Sequence, residues 1–358
     1  MKILLVSHPP LAAESGAAQI ALNLTAALRA RGHDARAWSP EPLSPSTPWW
    51  TRWRRQRRAI ERFVNAEGPF DVIDLPAVSV SPRLSRAGLV VARSLQPDLQ
   101  YFACDLGAQL RRPSLRLPPH ALYDATVTAA ILQGWRRSPV HLCLGTVERA
   151  WMRRRFPRWA SRLRHYVVAP SPAERQALAA VRAERRPAGG SGTRFLWIGR
   201  WVAQKGTGDL LRFLSARAAS HPEDSFTLAG CGPGAEREAP AGLLRTGRLR
   251  LVPAFPRHEL PALLAAHDAG LFTSRVEGWG LSLNEMLEAG LSVYATPAGG
   301  VADLQPYWRG RLLPFPPPPG PPAVVEEPDL AAYFSFFSWP EIARRYETEV
   351  LEPERDLK

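Results

Sequence analysis

Residues 274–290 read SRVEGWGLSLNEMLEAG and place two carboxylates beside glycines, where a helix is expected to begin. Gly278 and Gly280 have no Cβ atom, so a ligand can approach the backbone closely there. From Ser282 the pattern favours a helix, because Ser282 is a good N-cap and Glu285 follows three residues later. The N–H groups and positive dipole end at the start of such a helix bind phosphate or diphosphate well. The stretch therefore predicts a binding turn.

A second interpretation of the two acids stays open on these residues alone. Ser282 and Glu285 also fit a capping box, in which the Glu285 carboxylate only accepts a hydrogen bond from a backbone N–H. In that interpretation Glu277 is an ordinary loop acid. The groups that the rest of the chain brings to this turn decide between the two.

The length and composition indicate a folded protein with two domains. A chain of 358 residues exceeds the size at which one hydrophobic core usually keeps growing, and 45% of its residues are hydrophobic. The apolar run at residues 3–6 is too short for a signal peptide, and no apolar stretch is long enough to span a membrane. The three cysteines, Cys104, Cys143 and Cys231, show no metal-ligand spacing and are expected to be buried thiols. We expect a cytoplasmic protein.

The charge of the chain is distributed unevenly. Residues 1–188 contain 29 Lys and Arg against 13 Asp and Glu, whereas residues 189–358 contain 17 against 20. An arginine-rich genome explains the abundance of arginine but not this asymmetry. The first half is therefore expected to face an anionic surface or substrate.

Strands and helices alternate along the whole chain. KILLVS (residues 2–7), a turn of small residues ending at Gly16, a helix over about residues 19–30 and HDARAW (residues 33–38) form a βαβ opening. Ligands of such parallel sheets sit beyond the carboxyl ends of the strands, so Gly16 is expected to line a binding cleft. RRPAGGSG, residues 185–192, is the best linker.

The second half carries two cations at the end of a predicted strand. RFLWIGR ends at Arg200, and Lys205 follows five residues later. A planar guanidinium and an ammonium group at the carboxyl end of a parallel strand can clamp a diphosphate, although such residues can also be solvated loop charges. The next strand ends in a glycine turn that includes Gly232, which predicts close approach of a ligand to the backbone.

Residues 49–64, WWTRWRRQRRAIERFV, predict a basic amphipathic helix. Trp49, Trp53, Ile60 and Phe63 recur at helical intervals, and arginines fill half of the other positions up to Val64. Tryptophan and arginine favour a lipid headgroup interface, so this element is a candidate contact with an anionic membrane surface. A surface helix whose tryptophans cover the core is the alternative. No nucleic acid is expected as a partner, because no recognised reader motif accompanies the segment.

Several ordered motifs of the second half together resemble the donor domain of glycosyltransferase family 4, the retaining nucleotide-sugar enzymes with the GT-B fold. The resemblance covers about residues 195–350. The matching motifs are GR…KG at residues 199–206, the glycine turn at residues 230–233, EGWGLSLNE at residues 277–285, the pair Gly299-Gly300 and WPEIARRYETEVL at residues 339–351.

The resemblance implies an α/β GT-B fold, with two Rossmann-like doubly wound domains facing a central cleft. It implies an acceptor-binding domain at residues 1–188, a donor-binding domain at residues 189–339, and a last helix at residues 340–358 that packs back on the first domain. In the family, the cations that match Arg200 and Lys205 bind the donor diphosphate. The glutamate that matches Glu285 holds the ribose hydroxyls, and the one that matches Glu277 lies by the transferred sugar.

The expected site combines these residues with the glycines at strand ends. The candidate catalytic residues are Glu277, Arg200 and Lys205. The candidate donor-binding residues are Gly16, Arg200, Lys205, Gly232, Gly280, Leu281, Ser282 and Glu285. No metal or cofactor is expected, because the cations and the helix start supply the positive potential that a departing diphosphate needs.

The first half departs from the family pattern at two places. Members often have a double glycine where this chain has Ser15-Gly16-Ala17-Ala18, and many have a histidine in the loop where this chain has Leu95. His8 lies at a strand end and is a candidate substitute, although a lone histidine there is more often a packing or capping residue.

These observations favour a retaining glycosyltransferase of the hexosyltransferase type. It would pass a sugar from a nucleotide-diphosphate sugar to a glycan or lipid-linked acceptor, in cell-surface polysaccharide or glycolipid synthesis, as a cytoplasmic protein at the inner face of the membrane. Two alternatives of the same fold stay open: an inactive binding protein, made credible by Leu95, and a nucleotide-sugar epimerase.

Overall fold

The structure, a computed structural model, describes residues 1–12, 16–111, 117–185, 192–317 and 328–355. The chain divides into two compact units. Unit 1 consists of Met1–Ala169 and Phe334–Lys358, and unit 2 of Pro170–Tyr333. Each unit contains a parallel six-stranded sheet with helices in its crossovers. The predicted α/β class with two doubly wound sheets is therefore confirmed.

Unit 1 opens with the predicted βαβ arrangement, since its first two strands pair in parallel. Its elements up to residue 169 are the strands β1 (Lys2–Val6), β2 (Asp34–Trp38), β3 (Val72–Pro76), β4 (Leu89–Arg93), β5 (Val140–Leu144) and β6 (Leu163–Tyr166), and the helices α1 (Gly16–Ala30), α2 (Arg52–Glu67), α3 (Leu84–Ala87), α4 (Asp98–Arg111), α5 (Leu117–Arg137) and α6 (Gly145–Arg155). The strand order is β2-β1-β3-β4-β5-β6. The strands β3 and β5 are buried throughout and are apolar except for Asp74 and His141.

Unit 2 repeats the alternation of strand and helix. Its elements are α7 (Pro172–Glu184), β7 (Arg194–Ile198), α8 (Thr207–Ser220), β8 (Ser225–Ala229), α9 (Ala241–Arg245), β9 (Leu249–Val252), α10 (Leu260–Ala265), β10 (Ala269–Phe272), α11 (Leu281–Glu288), β11 (Ser292–Ala295), α12 (Val301–Leu304), β12 (Leu312–Pro314) and α13 (Leu330–Phe336), the last of which runs on into unit 1. The strand order is β12-β11-β10-β7-β8-β9. The central strands β7 and β10 therefore lie side by side, and the turns that follow them share one edge of the sheet.

The basic helix of residues 49–64 is confirmed with a shifted start. Helix α2 begins at Arg52, and Trp49 lies in a preceding 3₁₀ turn, Trp49–Thr51. Ile60 and Val64 are buried in the core of unit 1, and Trp53 packs against the same core. The apolar stripe of this helix thus serves the core.

The C-terminal segment of the chain belongs to unit 1. It forms α14 (Trp339–Tyr346), a π-helical turn (Glu347–Leu351) and α15 (Glu352–Arg355). The Tyr346 hydroxyl donates to Asp74 Oδ2 over 3.0 Å, and Arg93 Nε donates to Asp74 Oδ1 over 2.8 Å. Asp74 and Arg93 are buried, on the adjacent strands β3 and β4. The hydrogen bond from Tyr346 to this buried ion pair therefore links the C-terminal segment to the sheet of unit 1.

The structure divides the chain at residues 169/170 and 333/334, whereas the sequence suggested 188/189 and 339/340. Helix α7 accounts for the first difference. Arg175 forms two hydrogen bonds, 3.0 and 2.9 Å long, with the Glu288 carboxylate of α11. Arg185 donates to three backbone carbonyl oxygens of unit 2. Most of the predicted linker, residues 186–191, lies outside the described residues.

Two further expectations concern helices and thiols. Within the described ranges, no helix combines the length and the apolar character needed to cross a membrane. Cys143 and Cys231 are buried as expected, while Cys104 is only partly buried.

The pair Asp74–Arg93 yields a stability prediction. Asp74→Asn keeps the shape of the side chain but leaves the buried Arg93 without its charge partner, which we expect to lower the free energy of unfolding by about 3–5 kcal/mol. Urea unfolding measures the loss. Asp34→Asn on the edge strand β2 is the matched control, because Asp34 is exposed. Equal effects of the two substitutions would contradict the assigned role of the pair.

Candidate functional site

The end of β10 fixes the turn that follows β7. The Thr273 hydroxyl donates to the backbone oxygen of Lys205 over 2.7 Å and accepts a 3.0 Å hydrogen bond from Trp197 Nε1. Gly206 has a φ of +67°, and a Cβ there would lie 1.9 Å from the Thr273 carbonyl oxygen. Only glycine therefore allows the Lys205 turn to lie this close to β10.

Two of the three predicted catalytic residues meet at this edge. Lys205 Nζ forms an ion pair with Glu277 Oε2, and the Ser274 hydroxyl donates to the same oxygen over 3.0 Å. The side chains of Lys205 and Glu277 are only 15% and 11% exposed, so the pair is better shielded from water than surface pairs are. Arg200 is exposed, and its guanidinium makes no hydrogen bond or ion pair within the described part of the chain. Arg200 is therefore available to an anionic ligand.

Helix α11 begins at Leu281, after a glycine cap. Gly280 is the N-cap, with a φ of +89° and no side-chain capping bond. The prediction that Ser282 caps the helix was wrong: Ser282 lies in the first turn, because the left-handed Gly280 has already turned the chain. A Cβ on Gly280 would lie 2.7 Å from the Phe272 ring and 3.4 Å from Glu277 Cγ. The start of α11 and the Glu277 side chain are thus neighbours.

The glycine pair after β11 closes another side of the same turn. Gly299 has a φ of +58°, and a Cβ there would lie 2.4 Å from the Trp279 carbonyl oxygen and 3.1 Å from Glu277 Cγ. The Gly300 N–H donates to the Trp279 oxygen over 2.8 Å. These glycines therefore allow the chain's own backbone to approach closely.

Glu285 is buried, and its partner is an arginine that no sequence motif indicated. Arg257 Nη2 donates to Glu285 Oε1, and Arg257 Nε donates to Glu174 Oε1 over 2.8 Å. No backbone N–H donates to the Glu285 carboxylate in the described chain, so the capping-box interpretation is wrong. Burial raises the pKa of Glu285, and the Arg257 charge opposes that rise. The position of Arg257 after β9, on the ligand edge of the sheet, was the signal that could have found it.

A buried network sets the orientation of α11. Trp279 Nε1 donates to Asn284 Oδ1 over 2.7 Å, Asn284 Nδ2 donates to the Tyr333 oxygen over 2.9 Å, and the Tyr333 hydroxyl donates to Glu288 Oε1 over 2.7 Å. Arg175 supplies the charge partner of Glu288. The contacts of Tyr333 join residues 45 and 49 positions apart in sequence, which is why no local pattern indicated them.

The two remaining predicted glycines differ in their surroundings. Gly232, after β8, has a φ of +67°, and no atom lies within 4 Å of where its Cβ would stand. Open space therefore adjoins this turn of unit 2. Gly16 is the exposed first residue of α1 and belongs to unit 1, while the other predicted site residues belong to unit 2. Residues 13–15 of its turn lie outside the described residues.

In unit 1, a buried acid of α6, Glu148, contacts the loop after β4 that contains Leu95. The Ser94 hydroxyl donates to Glu148 Oε1 over 2.6 Å, and burial raises the pKa of Glu148 to about 7. His8 Nε2 and Ser79 Oγ lie 2.6 Å apart. Burial lowers the pKa of His8 to about 4, so its imidazole is neutral at physiological pH, which agrees with a packing residue.

Comparisons with known proteins find a family match that covers most of this region. Residues 192–316 match the family described as Glycosyl transferases group 1, and they contain all the site residues of unit 2 except Glu174 and Arg175 on α7 and Tyr333 on α13. The uncharacterized glycosyltransferase YqgM of Bacillus subtilis is 32% identical over 114 residues, which are 31% of this chain and 32% of that protein. The match thus spans about a third of the length of this relative.

Two solved structures resemble the chain along nearly its whole length. HepE of Anabaena, in complex with UDP and glucose, has a TM-score of 0.55 and 16% identity over 97% of this chain and 89% of its own. Sucrose-phosphate synthase of Thermosynechococcus elongatus has a TM-score of 0.63 and 17% identity over 99% and 98% of the two chains. At these identities the likeness concerns the fold, and the predicted GT-B fold is confirmed.

The left-handed cap of α11 yields a prediction. Gly280→Ala forces a Cβ against the Phe272 ring at a φ that side chains rarely adopt, so we expect a loss of about 1–3 kcal/mol in stability. Gly242→Ala is the control, because no atom lies within 4 Å of its Cβ position. In that helical position alanine should be neutral or stabilising. Thermal melting compares the two, and equal melting temperatures would refute the cap.

Proposed function

We propose that this protein is a retaining glycosyltransferase that moves a hexosyl group from a nucleotide-diphosphate sugar to a glycan or lipid-linked acceptor, in cell-surface polysaccharide or glycolipid synthesis. The observation that carries the proposal is the cluster of Lys205, Glu277 and the glycine-capped start of α11 at one sheet edge. Such a cluster offers a cation, an acid and backbone N–H groups to one small ligand. The family match over residues 192–316 supports the same conclusion.

The cations have a defined role in this reaction. When the bond between the sugar and the diphosphate breaks, negative charge grows on the departing phosphate oxygens. Arg200 and Lys205 would bind those oxygens together with the N–H groups at Leu281 and Ser282, and so lower the barrier. Lys205 is paired with Glu277, so a bound diphosphate would add an anion to an existing ion pair. We infer that transfer needs no metal ion, and donor turnover should persist in EDTA.

Glu277 of the turn and Glu285 of α11 would contact different parts of the donor. Glu277, close to Gly280 and Gly299, would lie by the transferred sugar. Glu285 would accept hydrogen bonds from the ribose hydroxyls. HepE was solved with UDP and glucose, which makes UDP-glucose the first donor to test.

Unit 1 would bind the acceptor. The excess of basic residues in the first half of the sequence favours an acceptor with negative charge, such as a phosphate-linked lipid or an acidic glycan.

Product analysis separates this proposal from its two alternatives. A transferase consumes donor faster when an acceptor is present and releases nucleoside diphosphate. An epimerase converts the sugar in the donor alone, and an inactive relative binds nucleotide without consuming donor. Retention requires that the new linkage have the anomeric configuration of the donor, which NMR of the product decides.

We predict that Arg200→Ala or Lys205→Ala weakens binding of UDP roughly tenfold or more, because each removes a charge-assisted contact to the diphosphate. Calorimetry with UDP, ADP and GDP measures the loss. Arg245→Ala is the matched control, since Arg245 is an exposed arginine of the same unit without a hydrogen bond in the described residues. Wild-type affinity in both site variants would remove the assignment.

Contact with an anionic membrane is a second proposal for unit 1. Trp50 is 54% exposed, and the arginines at positions 52, 54, 55, 58 and 62 of the following helix α2 are exposed as well. Trp49 instead stacks on the His120 ring, with the ring centroids 4.8 Å apart. The structure therefore favours Trp50, and not the whole aromatic stripe, as the group that enters the headgroup region.

Flotation with vesicles of phosphatidylglycerol and phosphatidylcholine tests this contact. Trp50→Ser should reduce the bound fraction, and salt should reduce it further, because exposed arginines act through screened charge. Leu22→Ser is the control, since Leu22 is also exposed but lies on α1. Equal binding of wild type and Trp50→Ser, or no binding to anionic vesicles, would exclude the contact.

A further inference from the structure

Arg257 is anchored at two acids from different helices. It lies in the 3₁₀ turn Arg257–Glu259, after the end of β9. Its Nε donates to Glu174 Oε1 over 2.8 Å, and its Nη2 donates to Glu285 Oε1. Glu174 is itself fixed, because it forms the capping box of α7 with Ser171. The guanidinium therefore has a fixed position and orientation beside the Glu285 carboxylate.

The two oxygens of Glu285 are used differently. Oε1 accepts from Arg257, whereas Oε2 accepts no hydrogen bond from the described part of the chain. The Glu285 side chain is only 2% exposed, and a carboxylate removed from water to this degree stays ionised only beside a cation and hydrogen-bond donors. Arg257 supplies both. Glu285 Oε2 can therefore accept a hydrogen bond from a bound ligand.

We propose that Arg257 is a positioning residue for nucleotide recognition: it orients Glu285 and holds it ionised, so that Oε2 accepts a hydrogen bond from the ribose diol of a nucleoside diphosphate. This inference rests on the proposed function, because it takes the donor to be a nucleotide sugar. It adds that the contact between Glu285 and the ribose depends on Arg257, which lies 28 positions earlier in the chain.

A structural role alone makes a different prediction. Arg175 and Glu288 already join α7 to α11, so Arg257 is not needed to hold these helices together. If Arg257 only stabilised the unit, its loss would weaken the binding of all nucleotides alike. If it positions Glu285, its loss weakens the binding only of nucleotides that carry the diol.

The charged groups around Glu285 fix the direction of the pH effect. Arg257 faces it from the turn after β9, Glu174 from α7 and Glu288 from its own helix. Burial and the two acids raise the pKa of Glu285, and Arg257 lowers it. Without Arg257 the pKa rises further, so Glu285 is neutral up to a higher pH. A neutral carboxylic acid is the weaker acceptor for a hydroxyl.

The test compares UDP with 2′,3′-dideoxy-UDP, and ADP with 2′,3′-dideoxy-ADP, by calorimetry. We expect wild type to prefer the diol-bearing nucleotides, and Arg257→Met to reduce that preference roughly ten- to a hundredfold, the value of a hydrogen bond to a charged group. The affinity for the dideoxy forms should hardly change. Combining Arg257→Met with Glu285→Gln should add little to either substitution, because both remove one contact.

The pH profile supplies a readout that a structural role would not move. In wild type, the preference for the diol should fall as pH drops through the pKa of Glu285. In Arg257→Met this fall should begin at a higher pH. The ratio of the UDP and dideoxy-UDP affinities cancels the titration of the phosphate itself.

Two controls guard against misfolding. Arg245→Met makes the same substitution at an exposed position and should leave the diol preference unchanged. Glu174→Gln preserves the capping box, since glutamine can fill that position, but releases one anchor of Arg257. It should lower the diol preference less than Arg257→Met does.

The outcomes separate the two proposals. If wild type binds none of these nucleotides, the proposed function fails and this inference fails with it. If wild type prefers the diol and Arg257→Met, folded by circular dichroism, keeps that preference and its pH profile, only the positioning role of Arg257 is overturned. Loss of the preference in Arg257→Met but not in Arg245→Met supports it.

Discussion

The hydroxyl of Thr273 is the contact on which the arrangement of the site depends. It accepts from the Trp197 indole of β7 and donates to the Lys205 carbonyl in the turn after that strand. Thr273 is fully buried at the end of β10, so neither bond competes with water. The side chain thereby sets the separation of two neighbouring strand ends. The Lys205 ammonium and the acids that follow Thr273 come together because this spacing is fixed.

The acids of the turn and of α11 are each paired with a basic side chain. Glu277, Glu285 and Glu288 each receive a cation from another element: Lys205 from the turn after β7, Arg257 from the turn after β9 and Arg175 from α7. Three acids within twelve residues of sequence repel one another, and two of them are buried. The paired cations make it favourable to bury them. A region that concentrates charge in this way is suited to a charged ligand, and it is also where the family match lies.

The two units differ in how their polar groups are used. In unit 1 the buried pair Asp74–Arg93 joins the sheet to the C-terminal segment, and the His8 imidazole is neutral. These are contacts that stabilise a fold. In unit 2, cations and acids gather at the carboxyl edge of the sheet around glycines in the left-handed region. The functional proposals of this protein therefore rest mainly on unit 2.

The sequence by itself determined the class of fold and the edge of the sheet that carries the site. Apolar runs of strand length, separated by helices, leave few ways to bury their surface other than parallel sheets. Polar residues just after such runs must then lie at one edge, which is how Lys205, Glu277 and Gly280 were found. Tertiary structure decided the rest. Gly280 and not Ser282 caps α11, because the Phe272 ring leaves no room for a Cβ there. The partner of Glu285 is Arg257, because strand order places distant turns side by side, and neither spacing nor propensity along the chain records that proximity.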